Sequence, residues 1–433
     1  MKTIFTSIAA GSLLAALAMA QPQPRYAVTD LGTLPGGTSS LAYFVSDNGF
    51  ASGQAAAADG TQHAAVWYQG RIIDIAKPGL LGPNSVAFGI NVSGQAEVQA
   101  ESLTKDPNNE NFCAYGTGLK CLPFFWQGGR MTPLPLLGGI NGTVGQINNL
   151  GEVAGIAENS TRDPECPPGV SVSGTGPQVL DFEAVVWGTR QGEIRVLSPL
   201  PGDTVGMALW INDNGEAVGA SGRCGNTVLP PLSGGPHAVL WDRDGSVHDL
   251  GNLGGGTGNA LAVLGNVALA INNQTQVVGV SPPPGDTTVH AFLWNKSTGM
   301  RDLGTLPGDV SSAGLGINDR GEVVGQSLDA DGNPRAFFWQ NGVMTDLNTL
   351  VPAGSPLFLL FASVINARGE IVGFGATSTG DVHAFLATPN NGPFANESAA
   401  PAAQGVTSRM VLSDEVREKI RQRLPGRFAA RQR

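Results

Sequence analysis

Short apolar segments recur along the chain, and segments rich in Gly, Asn, Asp and Pro separate them. The stretches "GEVVGQS" at 321–327 and "RAFFW" at 335–339 show the pattern, a few Val, Phe or Trp residues bounded by turn formers. β-Branched and aromatic residues favour strands, and runs this short do not sustain the 3.6-residue period of a helix. The pattern therefore predicts an all-β protein of short antiparallel strands.

The same four strands recur in the same order. Each repeat opens with a strand that ends in Ile-Asn and enters an N-D-x-G turn, as in "INDRGE" at 317–322. A "GEVVG"-like strand follows, then an "HAFLW"-like strand, a short turn and an "MxDL"-like strand. The first landmark, degenerate in the first repeat, occurs seven times: at Val45, Ile90, Ile147, Ile211, Ile271, Ile317 and Ile365. Four short strands per repeat predict a seven-bladed β-propeller of four-stranded antiparallel blades.

The ends of the repeat region predict how the ring closes. The stretch "RYAVTDLG" at 25–32 reads as an outer "DL" strand, yet it precedes the first complete blade. The last repeat ends after "HAFLATP" at 383–389 and lacks that outer strand. We therefore predict that residues 26–31 pair with residues 383–386, so that the N-terminal strand completes the seventh blade and removes the free edges.

The combined pattern "DLGTLPGG…SS…IN…GxVVG…HAFLW…GxMxDLGTL" resembles the HAF-repeat extracellular proteins, which are named for the His-Ala-Phe stretch. The resemblance covers about residues 26–389 and is strongest in repeats five to seven. It implies an exported β-propeller-like protein, and it brings no established activity and no catalytic residues. Repeats two, three and six depart from the motif, with Pro123, Glu183 and Arg335 in place of the His.

The N-terminus predicts a signal peptide over residues 1–20. Lys2 precedes the apolar stretch "IAAGSLLAALAMA", which ends in small residues, so we expect cleavage after Ala20. The mature protein would then be secreted or extracellular, and periplasmic if the source is a Gram-negative bacterium. The propeller would span residues 21–389.

The C-terminus predicts a linker at 390–409 and a basic amphipathic segment at 410–433. Ser413 is placed to cap a helix whose one side carries Leu412, Val416, Ile420 and Leu424. Two interpretations remain for this segment: a solvated basic tail, or a helix that binds an anionic surface or a partner.

Charge is unevenly distributed along the chain. The formal net charge is −10, although eight of the 25 Lys and Arg residues lie at positions 409–433. The body is therefore more acidic than the total suggests. Because phosphate neutralisation needs a basic surface, nucleic acid is excluded as the main ligand.

Three repeats carry long loops between the "GEVVG" and "HAFLW" strands. These loops, in repeats two to four, contain all four cysteines, and an even number in an exported protein indicates two disulfides. Of the three possible pairings we favour Cys113–Cys121 within one loop and Cys166–Cys224 between adjacent loops. Two interpretations remain for these loops. They form a binding surface on a rigid scaffold, or they result from neutral sequence drift at positions that tolerate insertions, with disulfides that only protect them from proteolysis.

Candidate binding residues lie in or near these loops. Paired carboxylates among Glu158, Asp163, Glu165 and Asp181 would suit glycosidase chemistry or ligand binding, and Trp210 is either a stacking platform or packing between blades. The histidines at 63, 237, 290 and 383 fall one per blade, too dispersed for a metal site, so we assign them structural hydrogen bonds. We expect no metal, no cofactor and no catalytic residues.

These observations favour a secreted, non-catalytic, monomeric protein that binds an extracellular glycan or protein through the long loops of blades 2–4. A carbohydrate-active hydrolase or lyase using the same face is one alternative. A structural or adhesive surface protein that acts through the basic tail is another.

Overall fold

The computed structural model describes residues 25–76, 81–166, 170–171, 174–224, 237–255, 265–285, 288–390 and 412–417. The predicted signal peptide, all but Asn390 of the predicted linker, and residues 418–433 lie outside the described residues. The described chain forms seven four-stranded antiparallel sheets and one two-stranded ribbon. This architecture confirms the predicted seven-bladed β-propeller.

Each blade uses consecutive strands in chain order, and only the outermost strand of blade 7 comes from elsewhere. The strands are β1 Tyr26–Asp30; β2 Ser40–Val45, β3 Ala51–Ala56, β4 Gln62–Tyr68 and β5 Arg71–Asp74 in blade 1; β6 Ser85–Ile90, β7 Gln95–Lys105, β8 Leu119–Gln127 and β9 Arg130–Pro133 in blade 2; β10 Gly138–Ile147, β11 Val153–Arg162, the ribbon β12 Val170–Ser171 and β13 Gly174–Thr175, then β14 Leu180–Trp187 and β15 Ile194–Leu197 in blade 3; β16 Val205–Ile211, β17 Ala217–Gly222, β18 His237–Trp241 and β19 Val247–Asp249 in blade 4; β20 Val267–Ile271, β21 Val277–Ser281, β22 His290–Asn295 and β23 Gly299–Gly304 in blade 5; β24 Ser311–Ile317, β25 Val323–Leu328, β26 Pro334–Gln340 and β27 Val343–Asp346 in blade 6; and β28 Phe358–Ile365, β29 Ile371–Ala376 and β30 Val382–Pro389 in blade 7. A 3₁₀-helix spans Leu347–Thr349, and residues 414–417 form one helical turn.

The first strands of neighbouring blades contact one another, so they surround the central channel. The turns after the first and third strands of each blade lie on one face, which we call the short-turn face. The loops after the second strands and the crossovers between blades lie on the opposite face, which we call the long-loop face. This division follows from the antiparallel order within each sheet.

The N-terminal strand closes the ring, as predicted. β1 pairs antiparallel with β30, from Tyr26 opposite Pro389 to Asp30 opposite Phe385, so the pairing extends three residues past the predicted partner segment. The Asp30 carboxylate lies 2.8 Å from Nδ1 of His383. The Tyr26 side chain is only 2% exposed and packs in a cluster shared with blade 6.

The Ile-Asn landmark forms a hydrogen-bonded ring on the short-turn face. In six blades the Asn side chain donates from Nδ2 to the backbone carbonyl of the equivalent residue in the next blade, over 2.9–3.1 Å: from Asn91, Asn148, Asn212, Asn272, Asn318 and Asn366. The last of these donates to Ser46, the equivalent residue of blade 1, and Asn48 bridges on to blade 2. Each Asn therefore joins two blades, which explains why the motif is repeated.

The same Asn also organises its own turn. Asn212 donates to the Glu216 carboxylate over 2.6 Å and accepts from the Glu216 backbone N–H, so the N-D-x-G-E motif closes on itself. The Gly position of this turn adopts the left-handed conformation. Thr275 replaces Gly in blade 5 and still adopts φ 57°, the mild strain expected from the sequence.

We expect Asn212→Asp to destabilise the propeller by roughly 2–4 kcal/mol, because it removes a buried donor and brings a carboxylate against Glu216. Asn214→Asp is the matched control: it alters the same turn but loses only one exposed hydrogen bond to Asn273. Urea denaturation measures both variants. If both variants lost the same amount of stability, the ring of Asn side chains would not be what holds the blades together.

The "HAF" and "DL" motifs also bind each other. His63 pairs with Asp74 over 2.7 Å and His290 with Asp302 over 2.9 Å, each between the third and fourth strands of its blade. In blade 6, Arg335 replaces the His and contacts Asp346 and Asp309. His237 pairs instead with Asp203, in the crossover before blade 4, over 3.1 Å, so all four histidines of the motif make the structural contacts predicted for them.

Candidate functional site on the long-loop face

The second strands of blades 2 and 3 extend further towards the long-loop face than those of the other blades. β7 and β11 contain 11 and 10 residues, whereas β3, the equivalent strand of blade 1, contains 6. The extended strands carry the long loops away from the ring. In blade 1 the same connection is a tight turn, in which the Thr61 carbonyl accepts a hydrogen bond from the Ala57 N–H.

Two disulfides fix these loops. Cys113–Cys121 closes the loop of blade 2, and Cys166–Cys224 joins the loops of blades 3 and 4. Both pairings are those predicted from the sequence. Beside the second disulfide, the Arg223 guanidinium contacts the Glu165 carboxylate, with Nε 2.7 Å from Oε2. Blades 3 and 4 are therefore linked covalently and by an ion pair.

A buried cluster of carboxyl groups anchors the blade 2 loop onto blade 3. Asp106 and Glu110 from the loop and Glu158 from β11 surround the side chain of Asn141, whose Nδ2 donates to them over 2.7, 3.4 and 3.0 Å. Their exposed fractions are 6%, 0% and 0%. Glu110 also accepts a 2.7 Å hydrogen bond from the backbone of Val179.

Burial of several carboxyl groups close together raises their pKa values. Burial, and next the negative charge of Glu110, raise the pKa of Glu158 to about 9, although hydrogen bonds from Asn141 oppose the change. Burial also raises the pKa of Glu110. Glu158 is therefore protonated at neutral pH and supports the loop from inside the protein. The sequence placed Glu158 among the loop acids, but the structure places it in a central strand, out of reach of a ligand.

A second carboxyl pair lies nearer the surface. Asp163 follows β11 and Asp181 lies in β14, and their closest carboxylate oxygens are within 4.8 Å of each other. Burial, then the hydrogen bond and charge of Asp163, raise the pKa of Asp181 to about 7. Asp181 is therefore partly protonated near neutral pH. One Asp181 oxygen, Oδ1, is buried and accepts no hydrogen bond from the described residues.

Side chains around this pair complete an acidic edge. The charges of Glu183 and Glu165 also raise the pKa of Asp181, so both carboxylates lie near the pair, and burial raises the pKa of Glu183 itself. The Sγ atoms of Cys166 and Cys224 are close enough to complete a metal-binding set, but their disulfide removes them as ligands. Two carboxylates alone fall short of the six to eight oxygens that Ca²⁺ prefers.

Trp210 lies in the channel and away from the loops. Its ring centroid is 5.7 Å from that of Phe44, which projects from blade 1, and it also packs against the cores between blades 4, 5 and 6. These contacts favour the interpretation that Trp210 packs between blades over that of a stacking platform near the channel.

The structure thus brings together Asp163, Glu165 and Asp181 and separates them from Glu158 and Trp210. Sequence reasoning missed Arg223 and Asn141. The position of Arg223 next to a cysteine was a usable signal, since a disulfide fixes its neighbours. The sequence around Asn141 contains no such signal, because the hydrogen-bond partners of Asn141 lie in other segments of the chain.

No family model matches the chain. No curated protein matches it either. Among the described residues, no helix is long and apolar enough to span a membrane.

Solved structures with a similar arrangement come from several organisms. The BP39L lectin from Burkholderia pseudomallei is 12% identical, with a TM-score of 0.40 over 86% of this chain and 98% of that one. AofleA from Arthrobotrys oligospora is 12% identical, with a TM-score of 0.37 over 74% and 87%. The β-propeller domain of the Trilobed protease from Pyrococcus furiosus is 12% identical, with a TM-score of 0.36 over 72% and 96%. Similarity at this level carries no information about ligand or activity.

Proposed function

We propose that the protein is an exported, non-catalytic binding protein that takes an extracellular glycan on the long loops of blades 2–4. The observation that carries this proposal is that two disulfides, an ion pair and a buried carboxyl cluster join the described parts of these loops to one another and to their blades. A rigid loop surface binds with less loss of conformational entropy than a mobile one. The disulfides and the signal-like N-terminus support export.

The chemistry of the acidic edge supports a glycan as the ligand. An ionised carboxylate accepts hydrogen bonds and cannot donate them. Sugars offer neighbouring hydroxyl groups as donors. Asp163 and Asp181 lie within 4.8 Å of each other, a spacing at which one sugar ring can donate to both. Drift in tolerant loops does not account for this arrangement, because the loop of blade 1 stays a short turn and uses no such anchoring.

A glycan and polysaccharide array tests the proposal. We expect the protein to bind a defined set of glycans, and Asp163→Asn combined with Asp181→Asn to weaken that binding by about tenfold to a hundredfold, the worth of one or two charge-assisted hydrogen bonds. Asp59→Asn, an exposed change in the equivalent loop of blade 1, should leave binding unchanged. Equal effects of both variants, or no glycan bound, would contradict the proposal.

A hydrolase is the second candidate, and the raised pKa of Asp181 beside Asp163 favours it. A carboxyl group with a pKa of about 7 is suited to donate a proton to a leaving group. Retaining glycosidases also use two carboxyl groups at roughly 5 Å. Product analysis on each glycan that binds separates the two candidates, because turnover that Asp181→Asn abolishes would establish the enzyme.

A further inference from the structure

An apolar groove lies on the long-loop face, beside the short loops of blades 6, 7 and 1. Its floor consists of buried residues near the ends of strands at this face: Leu41, Leu360, Phe361, Phe374, Ala376 and Val382. Partly buried Tyr43, Leu315 and Phe358 border it. Several of these residues belong to the innermost strands, so the groove opens at the mouth of the channel.

Residues 412–417 occupy this groove. Leu412 is only 5% exposed and belongs to the same apolar cluster, and Val416, one helical turn later, packs against it. Ser413 caps the turn as predicted, since its Oγ accepts a 3.3 Å hydrogen bond from the Val416 N–H. Leu412 and Val416 of the predicted apolar side therefore pack against the propeller, and the rest of the predicted segment lies outside the described residues.

Charge complementarity also fits the segment to this place. Hydrogen bonds from Asn333 and the charge of Arg417 lower the pKa of Asp329 and outweigh the effect of its burial. Asp329 begins the loop between the second and third strands of blade 6, at the border of the groove. Arg417 contributes the smallest of these effects and donates a 3.3 Å hydrogen bond from Nε to the Leu412 carbonyl, while Asp414 and Glu415 are exposed.

The preceding chain is long enough to reach the groove. β30 ends on the short-turn face, where the Asn390 N–H donates a 2.6 Å hydrogen bond to the Arg25 carbonyl. The 21 residues between Asn390 and Leu412 span up to roughly 70 Å when extended. The C-terminal segment can therefore cross from one face to the other.

We propose that this groove is a binding site for a short amphipathic segment and that residues 412–417 of the same chain are its built-in ligand. Recognition uses two apolar side chains four residues apart, Leu412 and Val416, a common mode of binding in an apolar groove. The site is separate from the acidic edge of blades 3 and 4, so it stands independently of the glycan proposal.

The test uses the full-length protein and a fluorescent peptide of residues 408–425. In the variant Leu412→Asp, Val416→Asp the internal segment should leave the groove, and the peptide should then bind at least about tenfold more tightly than to the wild type, whose site is occupied. Fluorescence anisotropy measures the difference. The same peptide carrying both Asp substitutions should not bind.

The variant Asp414→Asn, Glu415→Gln is the matched control, since it changes the exposed side of the same turn and should behave as the wild type. Hydrogen exchange provides the second measurement, with faster exchange expected in Phe358–Ile365 and Ile371–Ala376 of the Asp variant. Should that variant fail to fold, Leu412→Ala, Val416→Ala replaces it. Equal peptide binding to all proteins, or binding to none, would overturn the proposal.

Discussion

Deleting residues 21–35 should destabilise the propeller so strongly that its cooperative thermal unfolding transition is lost. The deletion removes β1, and with it the outer strand of blade 7 and the five residue pairs that join it to β30. β30 would then present an unpaired edge, and the cluster that Tyr26 shares with blade 6 would lose its largest side chain. Thermal unfolding followed by circular dichroism measures the result. A melting temperature equal to that of the intact protein would show that closure does not depend on β1.

A point substitution separates strand pairing from side-chain packing in the same place. Tyr26→Ala should cost roughly 3–5 kcal/mol, the usual loss for truncating a buried aromatic residue, while the backbone pairing of β1 remains available. Tyr26→Phe keeps the ring and serves as the control. If the two variants had the same stability, the packing of Tyr26 against Phe338 would contribute little to closure.

The architecture could be predicted because its determinants are local. Each N-D-x-G-E turn is encoded within a few residues, and Asn212 and its equivalents repeat one contact at six of the seven blade boundaries. The unmatched outer strand at 25–32 and the incomplete last repeat together specified the closure. A repeated local pattern therefore determined a global arrangement.

The site could be predicted only in part, because its contacts join segments far apart in the chain. The acidic edge emerged from loop composition, whereas the burial of Glu158 depends on Asp106, Glu110 and Asn141, which approach it only in the folded protein. The C-terminal segment was likewise predictable only in its local features. Its apolar spacing was visible in the sequence, but its groove is assembled from strands of several blades.

The buried carboxyl cluster should make stability fall as pH rises. In the unfolded chain Glu158 loses its proton near pH 4.5, whereas in the folded protein it keeps it until about pH 9. The folded state therefore binds one more proton between these values, and its stabilisation, complete below pH 4.5, decreases by about 1.4 kcal/mol per pH unit. Burial of Glu110 acts in the same direction. Urea denaturation at pH 6.0 and 8.5 should show the decline.

Glu158→Gln isolates this contribution, because it keeps the shape and an acceptor oxygen for Asn141 but cannot ionise. We expect its stability to decline less between the two pH values, and to exceed that of the wild type at pH 8.5. His383, whose pKa Asp30 raises, adds a similar decline to both proteins and cancels in the comparison. Asp59→Asn is the control, since hydrogen bonds from Thr61 lower the pKa of this exposed carboxyl and its titration lies below this range. If the free energy of unfolding declined equally with pH in the wild type and in Glu158→Gln, Glu158 would be ionised in the folded protein. The cluster would then hold the blade 2 loop with Glu158 charged.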